Sequence, residues 1–346
     1  SAFLLRLIGL AAMIAAVTLF CVFIPLEPIT RVMIFVILAS YIGYVVGGID
    51  FCFQAHVCVK HISPAVIASC MVFAAINLWG CHHRYGLLFF AVTNSMLPLL
   101  IALLKLLIYR RHFGSVLLWR FSVEKMCFLM RQSGWILLQT VLGCIAANVG
   151  ILILKELFDN RILGFYSIIV KILACAIIFP DMLCLSLYPF IIKNRDDRPA
   201  YRRNLGRLYR ILFWGAMPAI PAALVLGEPV IAWLYGVDYL LPGALLWIAM
   251  LSFPLQSLSY GFAKWCVIEQ KQHSLCVFAL GSLTGILSGT WLFAQIWGFP
   301  GALAALLCSS LTGWLFCLCC GKEVREHLLF LGKSLLGLSS KPEGRG

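Results

Sequence analysis

The sequence predicts an all-α integral membrane protein with about ten transmembrane helices arranged in two bundles. Its 346 residues are 62% hydrophobic and only 12% charged, with a mean hydropathy of +0.97. Soluble domains carry about 25% charged residues, and even large ones bury only about 75% of their unfolded surface. Apolar runs of about 20 residues recur along the chain, and each can cross a hydrocarbon core about 30 Å thick. The third observation is a very uneven distribution of lysine and arginine between the connecting loops.

Ten apolar runs are the predicted transmembrane spans. They cover approximately residues 2–24, 32–49, 65–81, 86–108, 135–154, 163–192, 211–234, 240–263, 275–297 and 300–320. The sixth run is longer than an untilted crossing requires, and Pro180 and Pro189 are predicted to kink it.

The loop charges predict the orientation of the spans. One set of alternate loops, together with the C-terminal tail, holds twenty lysines and arginines, and the opposite set holds four. The positive-inside rule makes the first set cytoplasmic, with both chain ends on the same side. The net charge of +13 is therefore mainly a topology signal and an attraction to anionic lipid headgroups. Because the basic residues are scattered over membrane loops, a nucleic-acid partner is not expected.

A long basic loop, about 109–134, is predicted to join two lobes. The N-terminal lobe, 1–120, holds four spans, the C-terminal lobe, 135–325, holds six, and residues 326–346 form a cytoplasmic tail. The segment "VLLWRFSVEKMCFLM" (116–130) is predicted to lie at the membrane surface as an amphipathic helix. If the lobes are structural repeats, two helices are expected before Ser1, in agreement with the absence of an initial Met.

The sequence lacks the motifs of several chemistries. It has no phosphate-binding G-x-x-x-x-G-K-[ST] loop, and its fifteen cysteines lie mostly inside apolar runs. No C-x-x-C pair is matched by histidines or further cysteines, so neither a metal nor another cofactor is expected. The predicted outward loops are short, which disfavours an enzyme working on the outer face.

Two glycine patterns predict close helix packing. Gly43-x-x-x-Gly47 and the series Gly281, Gly285 and Gly289 place small residues on one helix face. Such faces let helix backbones approach each other in lipid.

Lys171 is the most unusual polar residue, because it lies near the middle of the sixth apolar run. A lysine at a helix centre costs about 2.5–3.5 kcal/mol on insertion, so it should face a cavity or a partner. Its predicted face also carries Ser167, Ala174, Cys175, Ile178 and Met182. The alternative is that its long side chain reaches the outer membrane surface.

Other embedded polar residues are candidates for a binding site. Lys264 follows Ser257, Tyr260 and Gly261 on one face of the eighth span, and Lys105 is predicted to reach the cytoplasmic surface. Gln139, Asn148 and Asn77 are amides inside spans. Since bases outnumber acids, a cavity with this lining would suit an anionic group such as a phosphate.

Five stretches resemble the Wzx-type oligosaccharide flippases of the multidrug/oligosaccharidyl-lipid/polysaccharide exporter superfamily. They are "FCFQA" (51–55), "LGFYSIIVK" (163–171), "LYPFIIK" (187–193), "VIAWLYGVDY" (230–239) and "WGFPGALAA" (297–305). Their order and spacing extend over nearly the whole chain. The resemblance places the chain at helices three to twelve of a twelve-helix protein, and it implies two lobes around a central cavity.

The resemblance also implies a function. The expected substrate is a polyprenyl-pyrophosphate-linked oligosaccharide, carried to the outer leaflet of the bacterial cytoplasmic membrane by alternating access. Lys171 would contact the phosphate, assisted by Lys264, while Asn148, Gln139 and Tyr166 would line the sugar path. Membrane lipids, a polysaccharide polymerase and glycosyltransferases are the expected partners. Many members carry an acid about fourteen residues before the glycine of "GFYS", where this chain has Gly150, so ion coupling through that acid is in doubt.

Four alternatives remain open. A peptidoglycan-precursor flippase would also bind a pyrophosphate-linked sugar. A multidrug cation exporter should carry acids inside its spans, where only Asp181 is deep. A membrane-embedded glycan transferase or ligase would need a larger outward loop. A scaffold of a polysaccharide-assembly complex would transport nothing itself.

Overall fold

The computed structural model describes residues 2–23, 27–55, 62–114, 123–193, 196–236, 239 and 243–337. The regular structure of these residues is helical. The helices are α1 (Ala2–Phe23), α2 (Pro28–Val46), α3 (Ile49–Ala55), α4 (Ser63–His82), α5 (Leu87–Phe113), α6 (Val123–Leu157), α7 (Asn160–Lys193), α8 (Arg198–Ala216), α9 (Ala219–Tyr235), α10 (Gly243–Met250), α11 (Phe253–Ile268), α12 (His273–Trp297), α13 (Phe299–Leu318) and α14 (Lys322–Leu335).

Ten helical segments in the described part of the chain are long and apolar enough to cross a membrane. Six are single helices, namely α2, α4, α5, α7, α12 and α13, and two are most of α1 and of α6. The other two combine α8 with α9 and α10 with α11. The prediction of an all-α membrane protein with ten spans is therefore confirmed.

Proline and glycine account for several helix ends. A proline occupies one of the first two positions of α2, α4, α8, α11 and α13, where its missing N–H costs nothing and its ring presets φ. The chain reverses between α12 and α13 at Gly298, whose φ is +65°. Glycine adopts this left-handed conformation without the steric cost that a Cβ imposes.

Two helices begin earlier than the hydropathy predicts. The segment 116–130 is predicted to be an amphipathic surface helix, but Val123 already begins α6, and residues 115–122 lie outside the described part. The seventh span begins at Arg198, thirteen residues before the apolar run. The carboxylate of Asp197 accepts a hydrogen bond from the backbone N–H of Ala200 at 3.2 Å and caps α8. The arginine-rich start of α8 is helical because it is amphipathic and buries one face.

α14 extends the packed structure beyond the last span. The expected boundary of a cytoplasmic tail at residue 325 falls inside this helix. The buried residues Val324, His327, Leu331 and Ser334 recur at intervals of three or four along α14, and the helix packs against α8. Its amphipathic pattern explains why an otherwise polar segment docks onto the helices before it.

The chain divides into two compact units, Ser1–Gln132 and Ser133–Gly346. In the first unit α2 and α5 are the main packed pair, with α1 against α2 and α4 against α5. In the second unit α12 and α13 pack most closely. One core cluster there surrounds Tyr209 and Phe262, and another surrounds Ile169 and Ala249.

The glycine patterns are packing surfaces, as predicted. A Cβ on Gly43 would lie 2.5 Å from the carbonyl oxygen of Pro98 in α5, and one on Gly281 would lie 2.7 Å from that of Thr312 in α13. A Cβ on Gly285 would overlap the Thr312 hydroxyl. These distances leave no space for a side chain, so the helix pairs depend on glycine.

Candidate functional site

Lys171 lies on the exposed side of α7. Ala174, Cys175, Ile178 and Met182 are exposed with it, whereas Ile169 on the opposite side is fully buried. The predicted stripe is therefore a real face of the helix that does not pack into the core of its unit. An ammonium on this face can meet a polar ligand or extend toward the membrane surface.

Lys264 is half-buried and contacts an aromatic ring of another helix. Its Nζ lies 5.5 Å from the centroid of the Tyr188 ring on α7. A cation over an aromatic face is stabilised by about 0.5–2 kcal/mol, depending on how far it is desolvated. Ser257 and Gly261 of the same predicted stripe pack elsewhere, since the Ser257 hydroxyl donates to the carbonyl oxygen of Leu212 at 2.9 Å and Gly261 abuts α8.

The packed helices α7 and α11 share a polar seam. Its half-buried members are Asp181 and Tyr188 on α7 and Tyr260 and Lys264 on α11. The buried Cys184 lies between Asp181 and Tyr188 in the sequence of α7. We call these four residues the α7–α11 seam. It combines one cation, one acid and two phenols, which suits the hydroxyl and phosphate groups of a polar ligand.

Lys171 and Lys264 are not brought together. Lys264 contacts Tyr188, which follows Lys171 by seventeen residues of one continuous helix, or about 25 Å at 1.5 Å per residue. One pyrophosphate group is far shorter than this separation. Lys171 on α7 and Lys264 on α11 therefore do not hold one phosphate together in this conformation, and the phosphate contact expected of each lysine stays a prediction.

Asn148 and Gln139 lie on opposite faces of α6. Nine residues separate them along one continuous helix, which is about two and a half turns. Asn148 is exposed, and its Nδ2 donates to the carbonyl oxygen of Cys144 at 2.8 Å, whereas Gln139 is half-buried. The two amides therefore cannot line one side of a path together.

Tyr166 is a core residue in this structure. Its side chain is only 3% exposed, and its hydroxyl lies 2.6 Å from the position that a Cβ on Gly150 would take. The phenol thus fills the space left by the missing side chain at Gly150. This burial does not favour the expected contact between Tyr166 and a sugar.

The structure also reveals an ion pair that hydropathy did not indicate. Nζ of Lys105 on α5 lies 2.7 Å from Oδ2 of Asp50 on α3, with the two side chains 16% and 35% exposed. Lys105 is therefore paired with an acid on another helix, and its extension toward the cytoplasmic surface stays a prediction. Asp50 directly precedes the "FCFQA" stretch. An acid next to this stretch is the sequence signal that could have indicated the ion pair.

A second embedded acid has a structural role. Oε1 of Glu228 in α9 accepts a hydrogen bond at 2.8 Å from the backbone N–H of Gly243, the first residue of α10. The carboxylate therefore caps a helix start, where the macrodipole favours a negative charge. Asp50 and Glu228 therefore each bind a group on another helix of their own unit.

Comparison with known proteins identifies the family. Residues 4–241, more than half of the chain, match the family described as "Polysaccharide biosynthesis protein". The crystal structure of a mutant of the Vibrio cholerae MATE transporter VcmN has a similar fold, with a TM-score of 0.67 and 15% sequence identity, over 98% of this chain and 79% of that one. No curated protein matches the chain. The resemblance of the five stretches to a polysaccharide-exporting family is thus confirmed: the chain belongs to the polysaccharide biosynthesis protein family and has a fold similar to that of a MATE transporter.

Proposed function

We propose that this protein is a flippase that moves a polyprenyl-pyrophosphate-linked oligosaccharide across the bacterial cytoplasmic membrane for surface polysaccharide synthesis. Membership of a polysaccharide biosynthesis family and a transporter fold support this function. The observation that carries it is Lys171, a cation on the exposed face of a membrane-spanning helix. Such a residue is costly in lipid and is expected to serve an anionic ligand.

The two lysines of the second unit act at successive positions of the path. The loop charges predict that Lys264 lies toward the cytoplasm and Lys171 toward the outer surface. The pyrophosphate first meets Lys264 beside the α7–α11 seam, and later meets Lys171 about 25 Å further along α7. Each contact is a charge-assisted hydrogen bond, which offsets part of the desolvation cost of the phosphate.

The remaining parts of the substrate are recognised differently. The polyprenyl tail stays in the bilayer, since it is as apolar as the lipid around it. The sugar passes the exposed amide of Asn148, while Gln139 and Tyr166 contribute through the packing of their helices. Alternating access opens the path to one side of the membrane at a time. Cytoplasmic glycosyltransferases supply the substrate, and a polymerase on the outer side consumes it.

Export in cells tests the proposal. A strain lacking this protein is complemented with the wild type, Lys171→Ala, Lys171→Arg or Lys155→Ala. Lys171→Ala should lower surface polysaccharide by about tenfold or more, the effect of losing a charge-assisted hydrogen bond of about 1.5–3 kcal/mol. The lipid-linked oligosaccharide should accumulate on the cytoplasmic side, and Lys171→Arg should retain most of the export.

The experiment has one control variant and two outcomes that would contradict the proposal. Lys155 is an exposed base near the end of α6, so Lys155→Ala should export normally at an equal membrane level. Normal export by Lys171→Ala would remove Lys171 from the path. Lysis on depletion, with unchanged surface polysaccharide, would replace the proposed substrate with a peptidoglycan precursor.

A further inference from the structure

A groove on the first unit lies between α1 and α2 and has a cation at one end. Its volume is about 220 Å³. Gly9, Leu10 and Met13 lie three, four and seven residues after Arg6, so all four residues line the groove from one face of α1. Tyr41 and Tyr44 of α2, with ring centroids 5.5 Å apart, line the other wall together with Val45. The groove is therefore apolar and aromatic except at the Arg6 end.

The Arg6 end belongs to a small cluster of charges. Nη1 of Arg6 donates to the carbonyl oxygen of Tyr44 at 3.2 Å. The same nitrogen and Oδ2 of Asp50 lie 3.1 Å and 3.9 Å from the position that a Cβ on Gly47 would take. Asp50 in turn pairs with Lys105 at 2.7 Å. Arg6 and Lys105 thus bring two positive charges to this end of the groove, and Asp50 brings one negative charge.

The floor of the groove is open at Gly9. This glycine is exposed, and a Cβ built on it would meet no atom within 4 Å. A hydrocarbon chain can therefore lie directly on the α1 backbone at this point. Arg6 lies one turn earlier on the same face, so a chain in the groove would place its headgroup beside the guanidinium.

We propose that this groove binds an anionic phospholipid, with the phosphate at Arg6 and an acyl chain along Gly9, Leu10 and Met13. The occupant must come from the bilayer, because α1 and α2 are candidate membrane spans. A guanidinium binds phosphate oxygens through paired N–H donors. The single negative charge of a phosphodiester matches the single guanidinium that lines this end of the groove. The site does not depend on the proposed transport function.

Native mass spectrometry of the purified full chain in detergent tests the site. The protein is titrated with phosphatidylglycerol and with phosphatidylcholine of identical acyl chains. The wild type should bind phosphatidylglycerol about tenfold more tightly, as expected for one charge-assisted phosphate contact. Gly9→Leu should fill the groove and weaken phosphatidylglycerol binding about tenfold, and Arg6→Gln should abolish the preference between the two lipids.

The controls separate the groove from general effects on folding. Gly143→Leu is the matched control, because a Cβ on Gly143 in α6 would also meet nothing within 4 Å; it should bind like the wild type. Arg6→Lys keeps the charge and should retain part of the preference. Equal binding of both lipids, or unchanged binding by Gly9→Leu, would overturn the proposal. Displacement of phosphatidylglycerol by an equimolar polyprenyl pyrophosphate would also overturn it, because the groove would then be a substrate site.

Discussion

The hydroxyl of Tyr209 lies 2.7 Å from Nε2 of His327, and this hydrogen bond joins α8 to α14. The imidazole of His327 also stacks on the indole of Trp265 in α11, with ring centroids 3.7 Å apart and planes 6° from parallel. At the end of α14, Arg210 Nε and Trp214 Nε1 donate to the carbonyl oxygens of Ser334 and Leu335 at 3.3 and 3.2 Å. Hydrogen bonds therefore join α14 to α8 from His327 to the C-terminal end of the helix.

We predict that acid weakens this attachment. Burial, with a smaller contribution from the charge of Arg202, lowers the pKa of His327 from 6.5 to about 3. The unfolded chain therefore binds a proton below pH 6.5 that the folded chain does not. The stabilisation is complete above that pH and is lost progressively as the pH falls toward 3, by about 2 kcal/mol at pH 5.

Thermal unfolding in detergent at pH 7 and pH 5 measures this effect. His327→Gln should unfold more readily at pH 7 and lose much less further stability at pH 5 than the wild type. His273→Gln is the matched control, because His273 is exposed. An unchanged pH dependence in His327→Gln would show that other groups cause it.

The pair between Asp50 and Lys105 should stabilise the first unit. Asp50→Asn leaves the mostly buried ammonium of Lys105 without its carboxylate, and we expect a loss of about 1–2 kcal/mol, reduced by the partial exposure of Asp50. The double variant Asp50→Asn/Lys105→Gln should be less unstable than the sum of the single variants. Chemical or thermal unfolding of the four proteins gives the coupling energy.

An exposed ion pair provides the control for that cycle. Lys322 and Glu326 lie one turn apart on α14, with N···O 3.9 Å and side chains 90% and 60% exposed. Such pairs contribute little, so the corresponding variants should behave additively. Additive behaviour of Asp50 and Lys105 as well would mean that their contact contributes nothing to stability.

Gly285 should be among the least replaceable residues of the second unit. A Cβ there would overlap the Thr312 hydroxyl and lie 2.9 Å from the carbonyl oxygen of Cys308. Gly285→Ala should therefore force α12 and α13 apart and cost about 1–3 kcal/mol. Gly143→Ala, at an open position, should leave the melting temperature in detergent unchanged. Equal melting temperatures for the two variants would contradict the close packing.

Gly150 and Tyr166 should compensate for each other. In Gly150→Ala the new methyl group meets the Tyr166 hydroxyl, which lies 2.6 Å from its position, and we expect a lower melting temperature. Tyr166→Phe removes the hydroxyl oxygen, so the double variant Gly150→Ala/Tyr166→Phe should regain most of the lost stability. A double variant no more stable than Gly150→Ala would show that the two groups do not compete for space.

The expected site residues show which inferences a sequence supports. The exposed stripe around Lys171 was predictable, because the periodicity of one helix defines its faces. The separation of Lys171 from Lys264 was not, because it depends on which turn of α7 meets α11. The burial of Tyr166 was not predictable for a related reason: its polar hydroxyl occupies a space left by Gly150 on another helix, and no property of α7 indicates that space.

The helical membrane class, the ten spans and the glycine faces were predictable from the sequence, and the orientation is a prediction of the same kind. These properties follow from hydropathy over about 20 residues, loop charge and local spacing, all of which act within one segment. The packing of the helices was needed to show that Lys105 pairs with Asp50, that α14 docks onto α8 through His327 and that Arg6 lies at the end of a groove. Each of these contacts joins residues from different helices, and in lipid such neighbours are selected by shape and hydrogen bonding, which hydropathy does not encode.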